Sequence, residues 1–306
     1  MKFKLYKWNR KTASTQKQGE TWRFMMEYVK LNNNVEMPVL GYGVYQVTPA
    51  ESERFVSEAI QVGYRSIDTA QAYGNENGVG TAVRKSGIPR NQFFLTTKIW
   101  ISNAGYEKAR ASIEESLRQL QTDYIDLLLI HQPFNDYYGT YRAMEDAYRE
   151  GKVRAVGVSN FYPDRLIDLC QFVEIPPAVN QVETHVFQQQ AKAHEIMLKY
   201  GVQHESWGPL AEGRNKIFSN EILASIGKKY GKSVAQVALR FLIQKGIVVI
   251  PKTTHRERMA QNLDLFDFRL TDGELTQIVS LDRAESAFFS HYDPETVEFI
   301  TGLAKK

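Results

Sequence analysis

The sequence predicts an α/β fold, a single (β/α)8 TIM barrel with an N-terminal β-hairpin and two extra helices. Three observations predict it. Short apolar runs alternate with amphipathic stretches at helical spacing, the pattern of parallel strands joined by helices. Eight such units follow one another, which implies closure into a barrel rather than an open sheet. The chain has 306 residues, no Pro/Gly/Ser-rich linker divides it after Met26, and a barrel of this kind uses about 250 residues as one domain.

Residues 1 to 25 come first. They hold seven Lys/Arg against one acid, Glu20, so the net charge of +3 leaves −3 for the rest of the chain. The segment reads as a basic, disordered extension, with Met26 as the natural beginning of a barrel domain over 26–306. A body of that sign excludes nucleic-acid binding by charge. Tyr28 to Leu31 and Val35 to Pro38, around Asn32-Asn33-Asn34, form the opening hairpin. The strands of the barrel are Val39 to Tyr45, Tyr64 to Asp68, Phe93 to Ile99, Tyr124 to Ile130, Val153 to Val158, Ala178 to Val182, Val202 to Ser206 and Ile247 to Ile250. Helical spacing marks Ala50 to Val62, Asn77 to Ser86, Glu107 to Gln121, Thr140 to Arg149, Pro163 to Phe172, Gln189 to Tyr200, Val234 to Gln244 and Arg256 to Leu263 between and after them. Ser219 to Tyr230 and Thr271 to Leu281 are the two helices outside the repeat.

One cysteine, Cys170, rules out an intrachain disulfide and a thiolate metal cluster. The six histidines show no HExxH or Cys/His ligand spacing, so no metal is expected. No apolar run of membrane-spanning length and no secretory core occur, so the protein is expected in the cytoplasm and away from membranes. A monomer is expected, though no feature of the sequence fixes the oligomeric state.

In such barrels chemistry gathers where strands end. Strand two ends in Asp68, strand three in Lys98 and strand four in His131, at spacings of one βα unit each. Taken singly, an Asp or Lys at a strand end is a cap or a surface ion pair, and a lone His is a structural one. Their joint placement with Tyr73, five residues past Asp68, says more. A phenol with a pKa of about 10 is a poor proton donor near neutrality unless its anion is stabilised. Lys98 can supply that stabilisation, Asp68 can keep Lys98 charged, and a neutral His131 can hydrogen-bond a carbonyl oxygen. Together they suit protonation of an alkoxide as hydride arrives.

Hydride chemistry demands a cofactor, yet no GxGxxG follows a strand. Gly78-Val-Gly80 is a decoy set apart by the polar turn Gln71 to Asn77, and its glycines suit close helix packing. The stronger candidate is the strand end that runs from Ile250 into a helix start. There Lys252, Thr253, Thr254 and Arg258 bring two cations, two hydroxyls and free amides around one anion, which suits the 2′-phosphate of NADP. Trp207, beside Gly208, offers a flat face for a nicotinamide ring or belongs to the core.

From Met26 onward the chain resembles the aldo-keto reductases. The resemblance is carried by Gly63 to Glu76, Thr97 to Trp100, Tyr124 to Pro133, Gly157 to Phe161 and Ile250 to Thr253, in family order. It implies a catalytic tetrad of Asp68, Tyr73, Lys98 and His131, with Tyr73 as general acid in reduction and base in oxidation. It implies that Ser159, Asn160 and Gln181 hold a nicotinamide carboxamide, that Trp207 stacks on the ring, and that Gly208 and Leu210 line the pyrophosphate path. It maps the adenosine end onto Lys252, Thr253, Thr254, Arg258, Gln261 and Asn262, with NADPH preferred. Glu205 to Gly213 and Phe289 to Pro294 are similar to the short-loop microbial branch of diketogluconate and methylglyoxal reductases. The implied substrate is a small-molecule aldehyde or ketone, walled by Tyr45, Trp100 and His131. Gln261 replaces a usual glutamate, and His204 replaces a small or apolar residue, so His204 needs a buried partner and is expected neutral at pH 7. Two other readings compete: a non-catalytic NADP-binding regulatory subunit, and a lyase or isomerase using Lys98 as a Schiff base.

Overall fold

The computed structural model describes residues 9–17 and 20–304, with side chains from Met26 onward. The chain enters through a three-stranded antiparallel sheet of β1 (Asn9–Lys17), β2 (Glu20–Lys30) and β3 (Glu36–Pro38), in that spatial order. Its inner turn lies where the asparagines predict it, and Asn34 takes the left-handed φ of 70° that its short polar side chain tolerates. The outer part departs from the expectation of disorder over 1–25. Residues 9–17 pair with 20–28, from Asn9↔Tyr28 to Lys17↔Glu20. With β3 on one edge, β2 offers its other edge to a segment containing the strand formers Thr12 and Thr15. Residues 1–8, 18 and 19 lie outside the described residues.

The alternation then runs as the sequence predicts. The order is β4 (Tyr42–Gly43), α1 (Pro49–Val62), β5 (Ser66–Asp68), α2 (Glu76–Lys85), β6 (Phe94–Ile99), α3 (Tyr106–Leu120), β7 (Leu127–Ile130) and α4 (Tyr137–Arg149). There follow β8 (Val156–Ser159), α5 (Pro163–Phe172), β9 (Val179–Glu183), α6 (Ala191–Tyr200), β10 (Gln203–Trp207), α7 (Glu221–Tyr230), α8 (Val234–Gln244), β11 (Val248–Val249) and α9 (Arg256–Leu263). The chain ends through α10 (Asp272–Val279) and α11 (Pro294–Leu303). Local chemistry sets these ends. Pro49 starts α1, and full capping boxes, Ser233 with Gln236 and Thr271 with Glu274, start α8 and α10. The two predicted extra helices are α7 and α10, and α11 is a third that corrects the expectation. It has a good start, with Asp293 accepting the Thr296 N–H and Pro294 next, but only Ile300 is fully buried, so it lacks an apolar stripe to read.

Strands β4 to β11 lie side by side in chain order and parallel. The ring closes where Gly41 N–H donates to Val249 O at 2.8 Å and Val249 N–H donates to Val39 O at 3.0 Å. Period-two alternation sorts the side chains. Ile67, Leu95, Leu128, Val156, Val158 and Val182 belong to the large outer core beneath the helices. Phe94, Leu127, Leu129, Val179 and Val248 belong to a separate inner core with Leu31 and Met37 of the hairpin, which stoppers the end where strands begin. Gly78 and Gly80 do serve helix packing: a Cβ at Gly80 would come within 2.4 Å of Leu120 O, at the end of α3. Further up the barrel interior the inward residues turn polar, and the site begins there.

Candidate active site

Asp68 closes β5, Lys98 lies one residue before the end of β6, and His131 follows β7 directly. All three are buried. The Lys98 ammonium donates to Asp68 Oδ1 at 2.5 Å and to Thr69 O at 3.0 Å. A 3-10 turn over Gln71–Tyr73, stopped by left-handed Gly74, swings Tyr73 over this pair. Lys98 Nζ lies 5.2 Å from the Tyr73 ring centre, and the Tyr73 and His131 ring centres are 5.5 Å apart, edge to face. The four residues singled out from the sequence thus form one cluster. Tyr45 stands 5.1 Å from the Tyr73 ring and is half exposed, while Trp100 stands 5.0 Å from His131, so both flank the cluster.

Electrostatics follow from burial. Burial pulls the Lys98 ammonium down, but Asp68, Tyr73 and Glu205 more than offset it, so its pKa stands above the ordinary value and the group stays charged. Burial raises the Tyr73 phenol above 10, and Lys98 opposes that rise without reversing it. Desolvation outweighs the Lys98 stabilisation, and Tyr73 holds its proton. His131 falls well below 6.5 through burial first, then Lys98 and His291, and is neutral. Its Nδ1 is shut away without a partner. A buried bare acceptor costs less than a buried bare donor, so the proton belongs on Nε2.

Beside the cluster, Gln181 in β9 reaches across the barrel and donates to Asp68 Oδ2 at 2.9 Å. Ser159, ending β8, donates to Gln181 O, and Asn160 donates to His131 O and Ser159 Oγ. The indole N–H of Trp207 donates to Asn160 Oδ1 at 2.8 Å. Ser159, Asn160, Gln181 and Trp207 therefore meet at one wall. Gly208, with a φ of 62°, turns the chain into a loop through Leu210. Around the ring, Lys252, Thr253 and Thr254 lead from β11 to α9, which carries exposed Arg258 and Gln261 and buried Asn262. Neither Lys252 nor Arg258 has an ion-pair partner among the described residues, so both cations are free to meet an anion.

Several contributors escaped the sequence reading. Asn75 donates to Val44 O and Val47 O and accepts from Thr69 Oγ1, tying the Tyr45 loop to the Tyr73 loop. Gln71 Oε1 accepts from Trp100 N and Asn103 Nδ2, tying the Tyr73 loop to the Trp100 loop. Glu183 receives Ser286 Oγ and Ala287 N, and so anchors a segment that lays Phe288 and Phe289 against Trp207. In the same segment His291 pairs with Gln132 Oε1 at 2.6 Å. The sequence marked Phe289 to Pro294 only by its likeness to the microbial branch, not by this anchoring role. His204, by contrast, has the buried partners it needed, His194 and Thr184. Among the described residues no helix is long and apolar enough to cross a membrane, and no group of three His, Cys, Asp or Glu is placed to hold a metal.

Residues 39–283 match the Aldo/keto reductase family. The chain is 45% identical to the glyoxal reductase of Bacillus subtilis (strain 168) over 85% of its length and 95% of that protein's. It superposes with a TM-score of 0.84 on MGS-M4, an aldo-keto reductase enzyme from a Medee basin deep-sea metagenome library, at 45% identity, covering 87% of this chain and 98% of the other. A Bombyx mori aldo-keto reductase solved in complex with NADP gives a TM-score of 0.81 at 31% identity, covering 86% and 94%. The chain belongs to the aldo/keto reductase family of oxidoreductases.

Proposed function

We propose that this protein reduces aldehydes or ketones to alcohols with NADPH, Tyr73 delivering the proton. The observation that carries this reading is the Lys98 ammonium, fixed by Asp68 and the Thr69 carbonyl beneath a phenol that still holds its proton. His131, neutral and protonated on Nε2, donates a hydrogen bond to the carbonyl oxygen and polarises it. As negative charge builds on that oxygen, Tyr73 gives up its proton, and the nearby Lys98 stabilises the phenolate. Asp68 keeps Lys98 charged throughout.

NADPH, when bound, supplies the hydride. The residues present fit it: free Lys252 and Arg258 with Thr253 and Thr254 suit the 2′-phosphate, and Gln261 and Asn262 the adenine. Gly208 and Leu210 suit the pyrophosphate, and the Trp207 face suits the nicotinamide. Ser159, Asn160 and Gln181 suit the carboxamide, Gln181 through its carbonyl oxygen because both its N–H groups are committed. Tyr45 beside Tyr73 and Trp100 beside His131 offer apolar faces that suit small or flat carbonyls, and similarity to a glyoxal reductase makes 1,2-dicarbonyls the substrate class to test first. A Schiff-base role for Lys98 is disfavoured, because a nucleophilic amine must be uncharged and this one is ion-paired.

The test is oxidation of NADPH, followed by absorbance, with a panel of carbonyl compounds that includes glyoxal. Tyr73→Phe is expected to lower turnover on the order of a hundredfold or more, while NADPH binding, read by fluorescence, persists. Equal turnover in the variant removes the phenol from the mechanism. NADPH binding without oxidation of NADPH by any carbonyl favours the regulatory-subunit reading.

A further inference from the structure

A second acid lies under the cluster and has no part in the chemistry just described. Glu205 sits in β10 directly opposite Gln181 of β9, and its side chain points into the barrel interior. Gln181 divides its two amide protons between two carboxyls, Asp68 Oδ2 and Glu205 Oε2, each at 2.9 Å. A continuous chain, Lys98–Asp68–Gln181–Glu205, therefore crosses the barrel from β6 through β5 to β9 and β10. Its far end is closed. Glu205 is 1% exposed, its Oε1 has no hydrogen-bond partner, and its neighbour in β11 is Val248.

We propose that Glu205 is a positioning residue, an uncharged acid that acts through the Gln181 amide to hold Asp68, and so Lys98, beneath Tyr73. The inference rests on the reductase reading for its kinetic consequence, but not for its structural one. Count the charges that face the acid. Asp68 from β5 is an anion and Lys98 from β6 a cation. Gln181 from β9 is neutral, Val248 from β11 is apolar, and Tyr73 and His131 above hold no charge. Lys98 already neutralises Asp68, so an ionised Glu205 would be a second buried anion with one amide donor and one bare oxygen. Carrying its proton on Oε1, it leaves only a neutral group unsatisfied, which costs much less. Burial first, then the Asp68 charge, push its pKa up to about 8, with Gln181 and Lys98 pulling the other way. Ionisation would set a negative charge beneath the oxygen on which Tyr73 must develop one, which opposes proton delivery.

Two substitutions and one substrate-free measurement test this. Glu205→Ala removes the anchor of Gln181, so kcat at pH 6 should fall on the order of ten- to hundredfold while KM for NADPH moves much less. Glu205→Gln imitates the uncharged acid, should recover most of that loss, and should lack the wild-type decline in kcat centred near pH 8. The melting temperature, read without substrate or cofactor, gives the second arm. A carboxyl with its pKa raised on folding binds more protons in the folded chain, so the wild type should lose stability as pH climbs from about 4.5 to about 8, and Glu205→Gln should gain on it over that range. Superimposable pH profiles and parallel melting curves for the two proteins would overturn the proposal. Should Glu205→Gln fail to fold, carbon-13 spectra of wild-type chain labelled at glutamate carboxyls decide: one carboxyl titrating near pH 8 supports it, and none overturns it. A wild type that oxidises no NADPH sinks the reductase reading alone, because melting and carboxyl titration still report on Glu205.

Discussion

Lys98 is the residue on which most of the site depends, and its own stability depends on Asp68. A fully buried ammonium survives because a carboxylate and a carbonyl take the place of water around it. Replacing one partner alone is therefore worse than replacing both. Lys98→Met should destabilise the fold by about 3–5 kcal/mol, because Asp68 is left as an uncompensated buried charge. Adding Asp68→Asn should return part of that loss, and urea denaturation of both variants checks the order. At the other end of the proposed cofactor track, Lys252→Ala with Arg258→Ala should weaken NADPH about ten- to a hundredfold per lost charge-assisted contact, with NADH little affected. Equal loss for both cofactors would move the phosphate site elsewhere. The clustering of Asp68, Lys98 and His131 was legible in the sequence because their spacings repeat the βα unit, so three strand ends had to face one mouth. Glu205 entered the sequence reading as the start of the stretch Glu205 to Gly213 and with no role of its own, because sequence gives no charge count inside a barrel. Asn75 and Gln71 were illegible for another reason: each joins loops remote in sequence through plain amide hydrogen bonds.

Between α6 and β10 lies a buried chain of neutral groups. Thr184 Oγ1 and His204 Nε2 are 2.8 Å apart, and the His204 and His194 Nδ1 atoms are 3.0 Å apart. The contact needs one imidazole to donate and the other to accept, which two neutral rings satisfy and two protonated rings cannot. Burial, with Lys245 second, lowers His194 to about 4, and burial first, then His194, holds His204 well below 6.5. Both folded values lie below the ordinary 6.5, so between them the unfolded chain binds more protons. Stability from this pair is complete above pH 6.5 and is lost as pH falls toward 4. The melting temperature should drop on acidification from pH 7 to pH 5, and His194→Gln should flatten that slope. An unchanged slope would place the acid sensitivity at another buried histidine, such as His291, also held near 4. At this scale helices with an apolar stripe were read correctly, and α11 was missed for want of one. The β1–β2 ladder was missed because β1 carries no apolar alternation to read.

Across the whole molecule the barrel interior divides into two ends with separate work. The end where strands begin is apolar and stoppered, with Met37 wholly buried among Phe94, Leu127, Leu129, Val179 and Val248. Polar groups fill the other end, where Lys98, Asp68, Gln181 and Glu205 run wall to wall. That division lets stability be concentrated away from chemistry, and it makes a separable prediction. Met37→Ala deletes a side chain that the surrounding rigid strands cannot collapse onto, so it should cost about 2–5 kcal/mol. Met37 packs in the inner apolar core, and its side chain has no polar atom to bond Asp68, Tyr73, Lys98 or His131. Denaturant midpoint should therefore fall in Met37→Ala while kcat and KM at 25 °C stay at wild-type values. If kcat falls with the midpoint, the strands transmit strain along their length, and the stopper sets the position of Lys98 as well as the stability of the barrel.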